Sequence, residues 1–169
     1  MSELRGEIDK KTLKKLIEEE KIKTVVIAGV DMQGRLFGKR FTGKSFIEIF
    51  EGGSNTCACN LGWDMDLMLI PELKFTGWHT GYQDMMAIPD FSTTRIYPWF
   101  EKTAIVLCDS CKEDGSLVEI APRTILRRQQ ERSHKMGYTP IMASELEFFL
   151  FKETVDSARE KKYSGIEPL

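Results

Sequence analysis

Two glutamates separated by one residue lie in the stretch with the clearest potential for chemistry. Glu145 and Glu147 belong to the run MASELEFFLF, residues 142–151, in which most other side chains are apolar. This composition predicts a β-strand from Tyr138 to Phe151, in which alternate side chains face the same side. Both carboxylates would then share one face, with Cα atoms about 6.5 Å apart. Carboxylates so placed can each approach a divalent cation of the kind that neutralises phosphate oxygens.

The same pattern also has an ordinary explanation. Carboxylates on one face of a sheet are usually solvated, and Glu145 and Glu147 could pair with arginines such as Arg127 or Arg128. The pattern alone favours this ordinary arrangement. A metal-binding role therefore needs support from other parts of the chain.

The first part of the chain predicts a helix followed by a β-hairpin. Asp9 is a typical N-cap, and the helix after it should end near Lys21. The segment from Ile22 to Met32 is rich in valine and isoleucine, which favours a strand. A turn at Gln33-Gly34 should return the chain into a second strand from Arg35 to Phe41.

The rest of the chain predicts an α+β fold. Further predicted elements are a short helix from Gly43, a loop from Glu51 to Leu61, one or two strands from Phe75 to Ile88, strands from Ser92 to Pro98, Thr103 to Cys108 and Leu117 to Ile120, and a helix from Pro122 to about Met136 that stops at Gly137. Antiparallel strands crossed by helices therefore extend to about Ile120. The helix and strand that follow predict the opening of another domain.

Composition limits the classes of function. The 169 residues carry a formal net charge of -2, with 41% apolar and 30% charged side chains, which suits a globular core. Acidic and basic residues are interleaved, so no basic surface for nucleic acid is predicted. No run approaches the roughly 20 apolar residues that span a bilayer, and Met1 to Lys15 lacks the apolar core of a secretory signal. We therefore expect a cytoplasmic protein with no membrane or nucleic-acid partner.

The four cysteines are predicted to be free thiols. Cys57 and Cys59 form a CxC pair, which is tighter than the usual spacing of zinc ligands. Cys108 and Cys111 are followed by a predicted turn rather than by the helix that activates redox cysteine pairs. A disulfide framework is not expected in a chain of this kind.

The glutamate-bearing strand also resembles a known family. Glu145-Leu-Glu147-Phe-Phe-Leu-Phe151 is similar to the E-x-E-F-F-L-F strand of glutamine synthetases. Shorter motifs that resemble this family lie in the family's order: Asp31-Met-Gln-Gly34, Gly38-Lys39-Arg40, Asp66-Leu-Met-Leu-Ile-Pro71, Pro89-Asp90, Pro98-Trp99, Val106-Leu107-Cys108-Asp109, Asp114-Gly115 and Pro122-Arg123. Each motif is weak alone, but their order and spacing extend the resemblance from Ile22 to Phe151.

The resemblance implies a particular domain organisation. Residues 1–21 would be an N-terminal helix and residues 22–120 the β-grasp-like N-terminal domain of glutamine synthetase. Residues 121–169 would be the truncated start of the catalytic α/β domain, with its first helix and strand. In the family, the β-grasp domain packs against the catalytic domain of a neighbouring subunit in a ring, so a ring-shaped homo-oligomer is implied for the full-length protein.

The resemblance also implies an activity. Glutamine synthetases use ATP to phosphorylate the side-chain carboxylate of glutamate, and ammonia then displaces phosphate from the γ-glutamyl phosphate. Glu145 and Glu147 would each help bind one of two Mg²⁺ or Mn²⁺ ions. The groups that bind ATP, a co-substrate here, lie mostly outside this chain in the family's pattern. The chain is therefore expected to be inactive by itself.

One motif departs from the family pattern. Family members carry F-D-G-S-S, in which the aspartate helps bind and deprotonate ammonium, whereas this chain has Phe50-Glu51-Gly52-Gly53-Ser54. Glu51 is the candidate catalytic residue, but its extra methylene would displace a carboxylate whose position matters. We therefore hypothesise that the acceptor is an organic amine or polyamine rather than ammonia.

Two non-catalytic interpretations of the sequence stay open. A relative of glutamine synthetase that has lost catalysis and acts in structure or assembly would fit the altered Glu51 motif, although the intact Glu145 and Glu147 pair argues against it. A free-standing β-grasp interaction module has no specific support in the sequence.

Overall fold

The computed structural model describes residues 7–169, which divide into two compact units, one ending at Gly137 and the other comprising Tyr138–Leu169. The helices are α1 (Lys10–Glu18), α2 (Gly43–Glu48), α3 (Pro122–Lys135) and α4 (Val155–Glu160), with 3₁₀ turns at Ala58–Leu61, Trp78–Thr80 and Phe91–Thr93. The strands are β1 (Thr24–Val30), β2 (Leu36–Thr42), β3 (Ser54–Cys57), β4 (Asp84–Pro89), β5 (Arg95–Ile96) and β6 (Thr103–Cys111). Within residues 7–169, no helix combines the length and apolarity needed to cross a membrane.

One mixed sheet organises the first unit. Its strand order is β2-β1-β6-β4-β3, and β5 also pairs with β6. The central strands β1 and β6 are parallel, whereas all other neighbours are antiparallel. Helices therefore combine with a largely antiparallel sheet, and the predicted α+β class is confirmed.

The first helix forms as its sequence predicts. The Asp9 side chain accepts a hydrogen bond of 2.6 Å from the Thr12 amide, which satisfies one of the free donors at the helix start. Leu13, Leu16 and Ile17 share one face of α1 and are buried. The helix ends at Glu18, three residues before the predicted end at Lys21.

The core of the first unit lies between the two short helices and the sheet. Phe46 of α2 is fully buried, and its ring meets the rings of Phe50 and Phe91 at 5.5 and 6.4 Å. The remaining buried apolar members of this cluster are Ile8, Leu13, Leu16, Ile17, Ile22, Val25, Ile27, Ala87, Ala104, Val106 and Cys108. Burial of these side chains provides the main free energy that holds α1 and α2 on the sheet.

The turn of the first hairpin forms around a buried carboxylate. Asp31, only 3% exposed, accepts hydrogen bonds from the amides of Gln33 and Arg35 and from the Arg35 guanidinium. Arg35 also donates to the carbonyl oxygens of Asp64 and Met65, at 2.7 and 2.9 Å. Burial would raise the pKa of Asp31, but the hydrogen bonds and charge of Arg35, with the Gln33 amide, hold the pKa below its ordinary 3.8.

Asp31→Asn should therefore destabilise the chain by about 1–3 kcal/mol at pH 7, since it removes a buried charged acceptor. A carboxylate whose folded pKa is lowered stabilises the fold above its unfolded pKa, and this contribution is lost as the pH falls through the folded pKa. Denaturant unfolding at pH 7 and pH 3 should show a smaller acid loss for Asp31→Asn than for the wild type. Asp66→Asn, at an exposed loop position, is the control, and equal effects of the two variants would contradict the prediction.

Three predicted elements of the first unit differ from the structure. The predicted loop from Glu51 to Leu61 contains β3, because Ser54–Cys57 pairs with β4 despite its polar side chains. The predicted strand from Ser92 to Pro98 is reduced to β5, since Asp90 caps a 3₁₀ turn that occupies Phe91–Thr93. The return strand from Leu117 to Ile120 is a single bridge between Cys111 and Leu117.

The predicted strand from Tyr138 to Phe151 was wrong. Residues 138–150 form neither helix nor strand, and their side chains are exposed. A strand needs a neighbour to satisfy its backbone donors and acceptors. In the described part of the chain, this segment has only the bridge from Phe151 to Pro168.

The second unit closes on itself around α4. Thr154 caps this helix by accepting from the Ser157 amide, and the Leu169 amide donates to the Leu150 carbonyl oxygen at 2.8 Å. The charged tail therefore folds into a small closed turn rather than an extended end.

Candidate functional site

The two glutamates of the ExE motif lie in the second unit. Glu145 and Glu147 stand in the irregular segment, and both are exposed. Carboxylate oxygens are the ligands that Mg²⁺ and Mn²⁺ prefer, so the donor chemistry fits such ions. No group of three or more histidine, cysteine or acidic side chains placed to hold an ion occurs within residues 7–169. The assignment of Glu145 and Glu147 as metal ligands therefore stays a prediction.

Glu51 lies in the first unit, in the turn that follows α2. Its carboxylate contacts Lys10 Nζ at 2.6 Å; the Glu51 side chain is 79% exposed and the Lys10 side chain is 41% exposed. The same Nζ lies 5.2 and 4.8 Å from the ring centroids of Phe50 and Phe91. Glu51 is therefore held near a primary ammonium group, and its proposed catalytic role stays a prediction.

An ion-pair network joins α3 to the sheet. Arg123 donates from Nε to Asp109 Oδ1 at 2.9 Å and from Nη2 to Asp90 Oδ2. Arg127 donates from Nη2 to Asp109 Oδ2 at 2.6 Å. Asp109 is on β6, and Asp90 directly follows β4. Two positive and two negative groups are thus in direct contact between the helix and the sheet.

The network is partly protected from solvent. Exposure of the side chains is 15% for Asp109, 22% for Asp90, 23% for Arg123 and 37% for Arg127. Burial would raise the pKa of Asp90, but hydrogen bonds from Ser92 and the charge of Arg123 lower it below its ordinary 3.8. The hydrogen bond to Asp109 raises the pKa of Arg127 above its usual value. The net pKa shifts of Asp90 and Arg127 both favour the charged forms.

This network was missed at the sequence level. The sequence suggested Arg127 as a possible partner of Glu145 or Glu147, whereas its partner in the structure is Asp109. The available signal was the set of short motifs, since Pro89-Asp90, Cys108-Asp109 and Pro122-Arg123 each supply one member. Separate motifs therefore converge on one contact.

Comparison with known proteins finds relatives among glutamine synthetase-type ligases. The domain described as "Glutamine synthetase, catalytic domain" matches residues 119–168. The gamma-glutamylethanolamide synthetase of Streptomyces coelicolor is 42% identical over 154 residues, which are 90% of this chain and 33% of that protein. The chain is therefore similar to glutamine synthetase-type ligases. A second similar protein, the glutamate–isopropylamine ligase of a Pseudomonas species, is 35% identical over 154 residues, or 90% of this chain and 34% of that protein.

Comparison with solved structures supports the fold of the chain. A crystal structure described as a novel glutamine synthase homolog aligns with a TM-score of 0.59 at 15% identity, over 68% of this chain and 27% of that one. The chain spans about a third of the length of the curated relatives that it matches.

The family match divides the ion-pair network. Arg123 and Arg127 lie within residues 119–168, whereas Asp90 and Asp109 precede them. Glu145 and Glu147 also fall inside the matched region, and Glu51 falls outside it.

Proposed function

We propose that this chain is the N-terminal part of an ATP-dependent ligase that joins glutamate to ammonia or to a small organic amine. The observation that carries the proposal is the similarity over 90% of the chain to two ligases whose names specify organic amines. Because the chain spans about a third of those proteins, the activity is proposed for the complete protein. The 169-residue chain is expected to be inactive alone.

The domain assignment follows the same proposal. Residues 22–120 would form the β-grasp domain, after the N-terminal helix of residues 1–21, and residues 121–169 would open the catalytic α/β domain. The parallel contact of β1 with β6, flanked by the hairpin partner β2, supports the first assignment. The family match over residues 119–168 supports the second. A ring-shaped homo-oligomer in the cytoplasm belongs to this proposal for the complete protein.

Glu145 and Glu147 would hold Mg²⁺ or Mn²⁺ next to ATP. Such ions neutralise phosphate oxygens while the substrate carboxylate accepts the terminal phosphoryl group. The amine then attacks the γ-carbonyl carbon of the resulting γ-glutamyl phosphate, and inorganic phosphate leaves as the new C–N bond forms. The amine loses a proton in this step, so a nearby carboxylate such as Glu51 would serve as its acceptor.

Glu51 also bears on the identity of the acceptor. A glutamate in place of the family's aspartate moves the carboxylate by about one C–C bond length, and a shift of 1 Å can cost about 100-fold in rate. A longer side chain is thus poorly matched to ammonia. In the structure, the Glu51 carboxylate contacts the alkylammonium group of Lys10, and this contact supports the proposal of an organic amine as the acceptor.

Phosphate release by the complete protein tests the proposal. Reactions would contain ATP, glutamate, Mg²⁺ and either ammonia, ethanolamine, isopropylamine or putrescine, with glutamate omitted as the control for uncoupled hydrolysis. We expect kcat/KM for one organic amine to exceed that for ammonia by at least about tenfold. Preference for ammonia over every amine would refute the organic-amine assignment. No turnover with any acceptor would favour the non-catalytic relative.

Glu51→Asp is the matched variant in the same assay. It keeps the charge and shortens the side chain to the family's length, so the ratio of ammonia to amine turnover should rise by about tenfold. An unchanged ratio would show that Glu51 does not determine the acceptor.

A further inference from the structure

The attachment of α3 to the sheet depends little on apolar packing. Among the residues of α3, Thr124 is the buried one, and its hydroxyl has no hydrogen-bond partner in the described structure. The apolar side chains of Ile125 and Leu126 are 43% and 54% exposed. The N-cap, Ala121, supplies no side-chain hydrogen bond to the first turn. A helix normally docks through an apolar stripe, and α3 buries none.

The ion pairs supply the missing constraint. Arg123 and Arg127 lie one turn apart on α3, and both guanidinium groups contact the carboxylate of Asp109. Arg123 reaches Asp90 as well, so the helix is tied to two points of the sheet. Two planar guanidinium groups on fixed carboxylates restrict both the rotation of a helix about its axis and its tilt.

We propose that Arg123 and Arg127 are positioning residues that set the orientation of α3 on the N-terminal sheet. Because α3 lies within the region that matches the catalytic domain, we expect its orientation to affect turnover. The region that matches the catalytic domain begins at residue 119. The arginines lie after this point and the aspartates before it, so the ion pairs connect the matched region to the sheet that precedes it. The effect on turnover rests on the proposed ligase function, whereas the docking of α3 does not.

Hydrogen exchange of the 169-residue chain tests the docking directly. In Arg123→Ala and Arg127→Ala, amides of α3 should exchange at least about tenfold faster, while amides of β1 and β6 keep their protection. Arg128→Ala is the control, because Arg128 is an exposed neighbour on the same helix with no ion pair in the described structure and the substitution changes helix propensity equally.

Each outcome of the exchange experiment decides the proposal. Unchanged α3 protection in both variants, or equal acceleration in Arg128→Ala, would overturn it. If Arg123→Ala lowers protection throughout the first unit, Arg127→Ala decides, because it leaves both Arg123 contacts in place. Loss of sheet protection in Arg127→Ala as well would make the network a general stabiliser and refute a positioning role.

Kinetics of the complete protein test the consequence for the reaction. Arg127→Ala should lower kcat by about tenfold or more and change KM for glutamate by less than about threefold, because misplacement of reacting groups acts on the chemical step. Arg127→Lys should restore part of kcat, and Arg128→Ala should match the wild type. A rise in KM alone, or no rescue by lysine, would overturn this consequence. An inactive wild type would refute the ligase function, while the exchange result would still decide the docking.

Discussion

Glu147→Ala in the complete protein is expected to lower amine-dependent phosphate release by at least about 100-fold, or about 2.7 kcal/mol of transition-state stabilisation. The reason is that a carboxylate ligand supplies both a coordination position and a negative charge to a hard divalent ion. Water molecules can occupy the vacant coordination position, but they do not supply the negative charge of the carboxylate. Glu145→Ala should have an effect of the same order, because each glutamate is proposed to serve a different ion.

Metal dependence separates this role from a general loss of structure. In Glu147→Ala, the Mg²⁺ concentration for half-maximal activity should rise, since one ligand is lost from the ion. Glu147→Gln keeps an oxygen donor without its charge and should lie between alanine and wild type. Glu160→Ala, at an exposed position of α4 in the same unit, should leave both kcat and the Mg²⁺ dependence unchanged.

The opposite result has a definite meaning. If Glu147→Ala and Glu145→Ala keep wild-type turnover across the Mg²⁺ range, both glutamates are solvated side chains, as the strand pattern alone would suggest. The ligase function could then still hold through ligands elsewhere in the complete protein.

Local signals explain which elements were predictable. Three elements have a local residue that marks where they begin, turn or end. Asp9 caps the first helix, Gly34 takes the left-handed conformation in the turn of the first hairpin, and Gly137 follows the last turn of α3. These features act within a few residues, so the sequence shows them directly. The predicted and observed boundaries of these elements differ by only a few residues, as at the end of α1.

Elements that depend on distant partners were less predictable. The strand β3 consists of Ser-Asn-Thr-Cys and exists because β4 offers an edge, which no local pattern reveals. The segment around Glu145 and Glu147 shows the converse, since its residues favour a strand but no described strand lies beside it. Sheet propensity describes the fit of a side chain to a pleated surface, and pairing decides whether that surface forms.

The ion-pair network illustrates the same limit for the site. Asp90, Asp109 and Arg123 were each visible within a family-like motif. The contact among these residues depends on the positions of β4, β6 and α3 in space. The spacing of the residues along the sequence does not reveal those positions. Family resemblance marked these residues, and the structure provides the physical reason for their contact.

Phe46→Ala should destabilise the first unit by about 3–5 kcal/mol, the largest loss expected from a single core position. Phe46 is fully buried and lies edge-on to Phe50 at 5.5 Å. Truncation would leave a cavity between α2 and the sheet and remove the aromatic contacts, each worth about 0.5–1.5 kcal/mol beyond area burial. Denaturant unfolding should show a lower midpoint with an unchanged slope.

Phe149→Ala is the matched control for this loss, because Phe149 is 83% exposed and the substitution is chemically identical. It should change the unfolding free energy by less than about 0.5 kcal/mol. Equal losses in the two variants would contradict the assignment of the core. Phe50 directly precedes Glu51 and packs on Phe46, so the cavity variant should also loosen the Glu51 turn. The contact between Phe46 and Phe50 links core packing to the candidate catalytic carboxylate. A variant that lowers stability here should therefore also lower amine-dependent turnover in the complete protein.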